Sequence, residues 1–448
     1  MNSSPSIDQA PTIRLPALLQ DVLLWRDPVG QLRKWAEVHG TVFTVTLPAT
    51  GPMLFVGGES AARQVLVSDP HEARAGAATG RVLPVLGPSC VLRQDGDAHK
   101  DRRRLIGSAF HGASLARLRS IAADNADREI QTWAEGKAIA LLPRMQKVVF
   151  ATIAAVVLGV NDPTQAEVLR QGLARMTGPS ALARTWMFPA GDGATRSWLS
   201  RHAQRRQELV GSLLTSLVDA RRAGPPSEEN DVLGLLIGHE RQSGLRMAEA
   251  DMNDELLALL LAGYETTSAA LAWALERLAR EPAMALRLRE SLRGDDPRYL
   301  SAFIHEILRW RPPVVDAVRE LTNPMDIEGY RIPAGTLLVV APLLVHDRAT
   351  DPASPDTFQP SRFLGDAAPT RDWIPFGGGR RYCLGADLAV LELEVVLTRI
   401  VRAVTLSATT RRGESARLLG TVMVPSRGSV AVISRHPSPV VGLRGCQR

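Results

Sequence analysis

The stretch FGGGRRYCLG at 376–385 constrains this chain more than any other part of its 448 residues. Three consecutive glycines, with a fourth at Gly385, call for backbone that bends sharply or passes close to something. Directly after it, LGADLAVLELEVVLTRI carries apolar residues at three-to-four spacing and reads as a helix. Cys383 therefore stands at a helix N-terminus, where unpaired N–H groups and the positive dipole end favour a thiolate. A thiolate is a strong soft ligand for iron, and Arg381 offers its charge to an anionic cofactor edge. A buried inert thiol is the alternative for a lone cysteine in such a place.

The other cysteines, Cys90 and Cys446, are distant and form no CxxC pair, which argues against a disulfide framework or a structural zinc site and fits a reducing cytoplasm. Lys plus Arg at 53 against Asp plus Glu at 47 gives +6, a diffuse excess unlike the clustered basicity of a nucleic-acid binder. Near the N-terminus, 15–25 is too short and interrupted to span a bilayer, and no basic region precedes it, so neither an export signal nor an anchor is expected.

TVFTVTL at 41–47 and MLFVGG at 53–58 alternate around the turn-rich PATGP and predict a β-hairpin. Helical periodicity then runs over 98–134, 142–158, 198–223 and 247–280. In the last third a helix ends at WRPP, IEGYRIP and TLLVVAP read as strands, and TVMVPSRGSVAVISR reads as a closing hairpin. The loop-like GPPSEEND at 224–231 suits a surface connection, so one mixed domain over 1–448, mainly helical with small sheets, is the expected organisation.

Phe376, Gly379, Arg381, Cys383 and Gly385 match F-x-x-G-x-R-x-C-x-G at every defined position. That is the haem-binding signature of cytochromes P450, and the chain resembles this family from the first hairpin to the last. Further motifs occur in the family's order. Glu306 and Arg309 lie three apart on a helix ahead of paired prolines, a spacing common on solvated helices too. With Arg362 of the later P-S-R-F, they resemble the network that locks the P450 scaffold. Gly263, Glu265 and Thr266 interrupt the helix of about 247–280 with poor helix formers. The ordinary reading is a tolerated kink in a core helix; the resemblance implies a groove for dioxygen, with Glu265 and Thr266 carrying protons to it. His99 and Arg103, four apart, could belong to any basic helix, but in the family such a pair holds haem propionates, as Arg319 does in many bacterial members. Ser361 and the phrase VHDRATDP around His346 depart from the usual motifs without touching the metal loop.

The resemblance implies a single triangular-prism-like α+β domain that binds haem b through the axial thiolate of Cys383. Its activity would be monooxygenation of a lipophilic small molecule by hydroxylation or epoxidation, as in tailoring a lipid, terpenoid or polyketide. Leu259, Ala262, Val314, Val315, Val318, Val422 and Met423 would face the substrate, although each equally suits an ordinary core. The segment 170–206 would form a lid whose Arg175, Arg184 and Arg196 suit a carboxylate or carrier-bound acyl group. Electrons would come from a separate ferredoxin or flavodoxin with its reductase, docking on Lys100, Arg102, Arg104 and Arg380. A haem-thiolate isomerase or peroxygenase, and a catalytically silent haem protein, are the alternatives.

Overall fold

The turn-rich PATGP does join two strands. The computed structural model describes residues 10–68, 71–177, 210–225, 231–294, 296–350, 354–365 and 371–436. In it Val42–Leu47 and Gly51–Val56 pair antiparallel. The second strand also runs parallel to Leu337–Val340, within TLLVVAP. Ala317–Leu321 pairs antiparallel with that strand and Ala73–Arg74 closes the edge, giving five strands from both ends of the chain.

Helices dominate the rest. Glu249–Arg280 is buried along most of its length and crosses Leu141–Leu158, while Arg298–Trp310 and Ala386–Ala403 pack beside it. Glu249–Arg280 and Leu141–Leu158 are each apolar enough to cross a membrane by length and composition. In both, 72% of the apolar window is buried inside the protein, as in a central core helix that is hydrophobic nearly all round.

Several expectations need correction. The helical stretch 98–134 is two helices, Gly96–Gly107 and Ala113–Gln131, separated by a short 3₁₀ turn and by Gly112 at φ +62°. IEGYRIP is itself a small hairpin, because Glu328 and Gly329 both adopt positive φ between Met325–Ile327 and Tyr330–Ile332. The closing hairpin does not form as such. Val422–Pro425 pairs with Ala416–Leu419, whereas Val430–Arg435 joins Val404–Ala408 and Ala138–Ala140. Between them Gly428 and Ser429 adopt positive φ, and the Glu414 carboxylate accepts from the N–H groups of Arg427 and Val430, which directs the second strand into another sheet. Of the stretch 198–223, residues 210–223 are helical and the remainder lies outside the described residues, as do Arg184, Arg196, Cys446 and most of 224–231. Nothing is described of the Arg175 side chain.

Candidate active site

Two of the glycines in the 376–385 loop are required by the polypeptide itself. Gly377 and Gly379 sit at φ +69° and +62°, and a Cβ on Gly379 would lie 2.3 Å from the Leu66 carbonyl oxygen, so any side chain there meets backbone. The loop closes on itself where the Cys383 N–H donates to the Phe376 carbonyl at 3.0 Å. Gly385 precedes the helix Ala386–Ala403 and differs from these two. A Cβ on it would meet no protein atom within 4 Å, and it lines a cavity.

That cavity, of about 440 Å³, has Cys383 and Phe376 on its wall. The thiol is exposed to this cavity, and its removal from bulk water pushes its pKa up, opposed by the Gly385 N–H and the Arg103 guanidinium. His99, Arg103, Arg319 and Arg381 line the same cavity. His99 falls to about 4 through burial and the nearby guanidinium groups of Arg381 and Arg103. Burial, then Arg381, lowers Arg319 to about 10, and its one hydrogen bond among the described residues is to the Val318 carbonyl. Asp95 is the carboxylate facing this group. It caps Gly76 and Ala77 and pairs with Arg381 at 2.5 Å. Arg381 also donates to the carbonyls of Gln94 and Val91. It is thus committed to the protein more fully than a free propionate ligand would be. The surplus positive charge around a buried thiol fits a metal-centred cofactor with anionic arms.

The long helix contributes to the same wall. Ala262, Gly263, Glu265 and Thr266 line the cavity, and the helix is continuous through them. Gly263 has another reason to be glycine. A Cβ there would lie 2.6 Å from Cδ1 of Ile153, on the helix crossing at that point. Thr266 donates to the Ala262 carbonyl at 2.9 Å, and Glu265 accepts from the Tyr264 hydroxyl at 2.9 Å.

The model of the cytochrome P450 family matches residues 11–432. The chain belongs to the cytochrome P450 family. It is 36% identical over 438 residues to cytochrome P450 135B1 of Mycobacterium tuberculosis, covering 96% of this chain and 92% of that one. It is 32% identical to the same organism's cytochrome P450 138, over 96% and 98% of the two chains. Among solved structures, retinoic acid-bound cyanobacterial CYP120A1 superposes with a TM-score of 0.80 at 22% identity, covering 97% of this chain and all of that one. The haem domain of cytochrome P450DA gives 0.81 at 17% identity, over 95% and 97%. The mixed, mainly helical architecture is the P450 fold. The family binds haem through a cysteine thiolate, uses dioxygen and a redox partner, and is in general one of monooxygenases.

Glu306 and Arg309 form the buried pair that the P450 motif suggests, with two hydrogen bonds of 2.7 and 2.9 Å. Arg309 also donates to the carbonyls of Pro355 and Thr357, and Glu306 accepts from the Gln359 N–H. Arg362 lies 3.4 Å from Glu306. His346 extends the network. Its Nε2 accepts from the Ile374 N–H at 2.9 Å, so Nδ1 carries the proton and donates to the Arg309 carbonyl at 3.1 Å. Burial holds this neutral form by lowering its pKa to about 3.

Of the residues expected to face substrate, Leu259, Ala262, Val314, Val318 and Val422 line the cavity, whereas Val315 and Met423 do not. Both are buried core, and the strand holding Met423 is tied to the long helix by the Trp273 N–H on the Met423 carbonyl. Lys100, Arg104 and Arg380 share a second recess, of about 740 Å³, with His99, Arg103 and Arg319. Arg102 departs from that group, turning to Glu255 at 3.7 Å. Sequence reasoning missed Asp95, His346 and Asp316. Asp316 had one local signal, a carboxylate inside the apolar run VVDAV.

Proposed function

We propose that this P450 inserts one atom of dioxygen into a lipophilic small molecule, by C–H hydroxylation or epoxidation. The observation carrying this reading is one cavity whose wall holds Cys383 together with Glu265 and Thr266. When bound, haem supplies the oxygen chemistry, with the thiolate as its electron-rich ligand. Cys383 holds the iron, and Phe376, Gly379 and Gly385 shape the loop around it. His99, Arg103 and Arg319 would hold the propionates of a bound haem, with Arg381, paired to Asp95, adding its charge to the group. Thr266 turns its hydroxyl from the Ala262 carbonyl to hold a proton at its Oγ1, and Glu265 supplies that proton from solvent. Leu259, Ala262, Val314, Val318 and Val422 keep water out and hold the substrate's apolar body. Glu306, Arg309 and Arg362 keep the scaffold in register. The basic recess of Lys100, Arg104 and Arg380 receives an acidic ferredoxin or flavodoxin, in a cytoplasmic setting.

The reduced carbon monoxide difference spectrum of the purified protein and of Cys383→Ala tests the ligand; a thiolate band unchanged by the substitution defeats the assignment. Thr266→Ala tests the reaction. NAD(P)H consumption through a surrogate ferredoxin and reductase should continue while product per NAD(P)H falls about tenfold or more, within the range usual for proton-transfer groups. Unchanged coupling counts against this reading, and product formed from peroxide or without any NAD(P)H points instead to a peroxygenase or an isomerase.

A further inference from the structure

Val314 bridges to Val422 and Ala317 begins a strand, so Asp316 is fixed between two anchored neighbours. Pro313, Val314, Ala317 and Val318 line the cavity beside it, making the local surface apolar. No ion pair joins Asp316 to another described residue, and its carboxyl accepts only from its own backbone N–H. Burial raises its pKa to about 7, and no cation offsets that rise.

The other charged or titratable groups on the cavity wall come from every element around it. Glu265 is on the long helix, His99 and Arg103 on Gly96–Gly107, and Arg319 on the strand. Arg381, Tyr382 and Cys383 are in the loop, and Glu392 is on the helix that follows. Arg319, three residues along, lines the same cavity, and the charges that act on it are Arg381 and Asp95. The bases act on one another, on Asp95 and on Cys383, not on Asp316. The polypeptide therefore presents three carboxyls to this cavity, and Glu265 is engaged by the Tyr264 hydroxyl and Glu392 by Thr152, whereas no other side chain engages Asp316 among the described residues. An acid left without a partner in an apolar chamber is expensive to keep, and such groups mark functional positions.

We propose that Asp316 anchors a positively charged nitrogen on the substrate, so that the favoured substrate is a lipophilic amine whose apolar body lies along Val314, Val318, Leu259 and Ala262. This rests on the reading of the cavity as the substrate chamber of a P450 monooxygenase, and deepens it. An arriving ammonium ion supplies the missing counter-charge, and the apolar wall strengthens the pairing by excluding water.

The probes are phenylbutyl-trimethylammonium, whose nitrogen cannot ligate iron, and its carbon isostere with tert-butyl in place of trimethylammonium. Both are titrated into haem-loaded wild type and Asp316→Asn, by calorimetry and by the ferric spin shift. The cation should bind wild type about tenfold or more tightly than the isostere above neutral pH, a gap expected of a desolvated ion pair. Asp316→Asn should erase the gap while leaving affinity for the isostere unchanged. In wild type, affinity for the cation should rise as pH passes upward through about 7, with the isostere indifferent. Equal affinity for the two probes in wild type, no binding of either, or a preference surviving in Asp316→Asn overturns the proposal. A missing thiolate band with carbon monoxide would strike the P450 reading itself, and so separates that failure from this one.

Discussion

The scaffold around Glu306 and the chamber around Asp316 treat their carboxyl groups in opposite ways. Glu306 and Arg309 are 0% and 1% exposed, yet both are engaged by their own pair and by the segment 355–359. Asp316 faces a cavity of about 440 Å³ with only its own N–H to satisfy it. The two regions differ in burial and in partnering together, since Glu306 and Arg309 are sealed in the core and fully engaged while Asp316 is half-buried at a cavity wall with no other side chain to engage it. A satisfied network rigidifies, whereas an unsatisfied carboxyl is an unfavourable group that substrate binding can relieve.

Breaking the satisfied side should have the larger effect. Arg309→Ala leaves the Glu306 carboxylate buried without its partner and should destabilise the haem-loaded protein by about 3–5 kcal/mol in guanidinium unfolding. A loss below about 1 kcal/mol would show that the network is relaxed by water and that the contrast is weaker than drawn. A middle-sized effect is expected at Gly263, where the chamber wall meets the core. Gly263→Ala places a Cβ 2.6 Å from Ile153 and should destabilise by about 1–3 kcal/mol by overpacking. Combining it with Ile153→Ala should recover part of that loss, a coupling that a double-mutant cycle reads directly. Strict additivity would mean that the two helices do not touch through this pair.

What the sequence made legible follows the range of the interactions involved. The loop of Cys383 and the pair of Glu306 with Arg309 depend on residues close in sequence, so spacing together with the order of the family's motifs placed them. Gly379 was recognised as glycine-requiring, but the atom that requires it, the Leu66 carbonyl, is far away in the chain. Gly263 was read from its own helix alone, and only Ile153 on a crossing helix reveals that packing also requires a glycine there. The closing hairpin failed for a similar cause: alternation identifies strands, while Glu414 and two positive-φ residues decide which sheet each joins. Arg381 was matched to a propionate by motif, and its pairing with Asp95 shows that a motif fixes a residue's place before it fixes its partners.

The smallest effect tests the unsatisfied side without any ligand. The carboxyl of Asp316 holds its proton more tightly in the folded chain, near a pKa of about 7, than in the unfolded chain, where the ordinary value is 3.8. The folded state therefore gains from this group most fully below the ordinary carboxylate range, and loses that gain as pH rises through about 7. Asp316→Asn removes the titration while keeping the size of the side chain. Wild type should lose stability relative to this variant between acid and neutral pH, by about 1 kcal/mol once water in the cavity is allowed for. Arg309→Ala, by contrast, should be destabilising at both ends of that range. If the Asp316→Asn difference is flat with pH, the carboxyl already has a partner in the folded protein, and the chamber is as well satisfied as the scaffold.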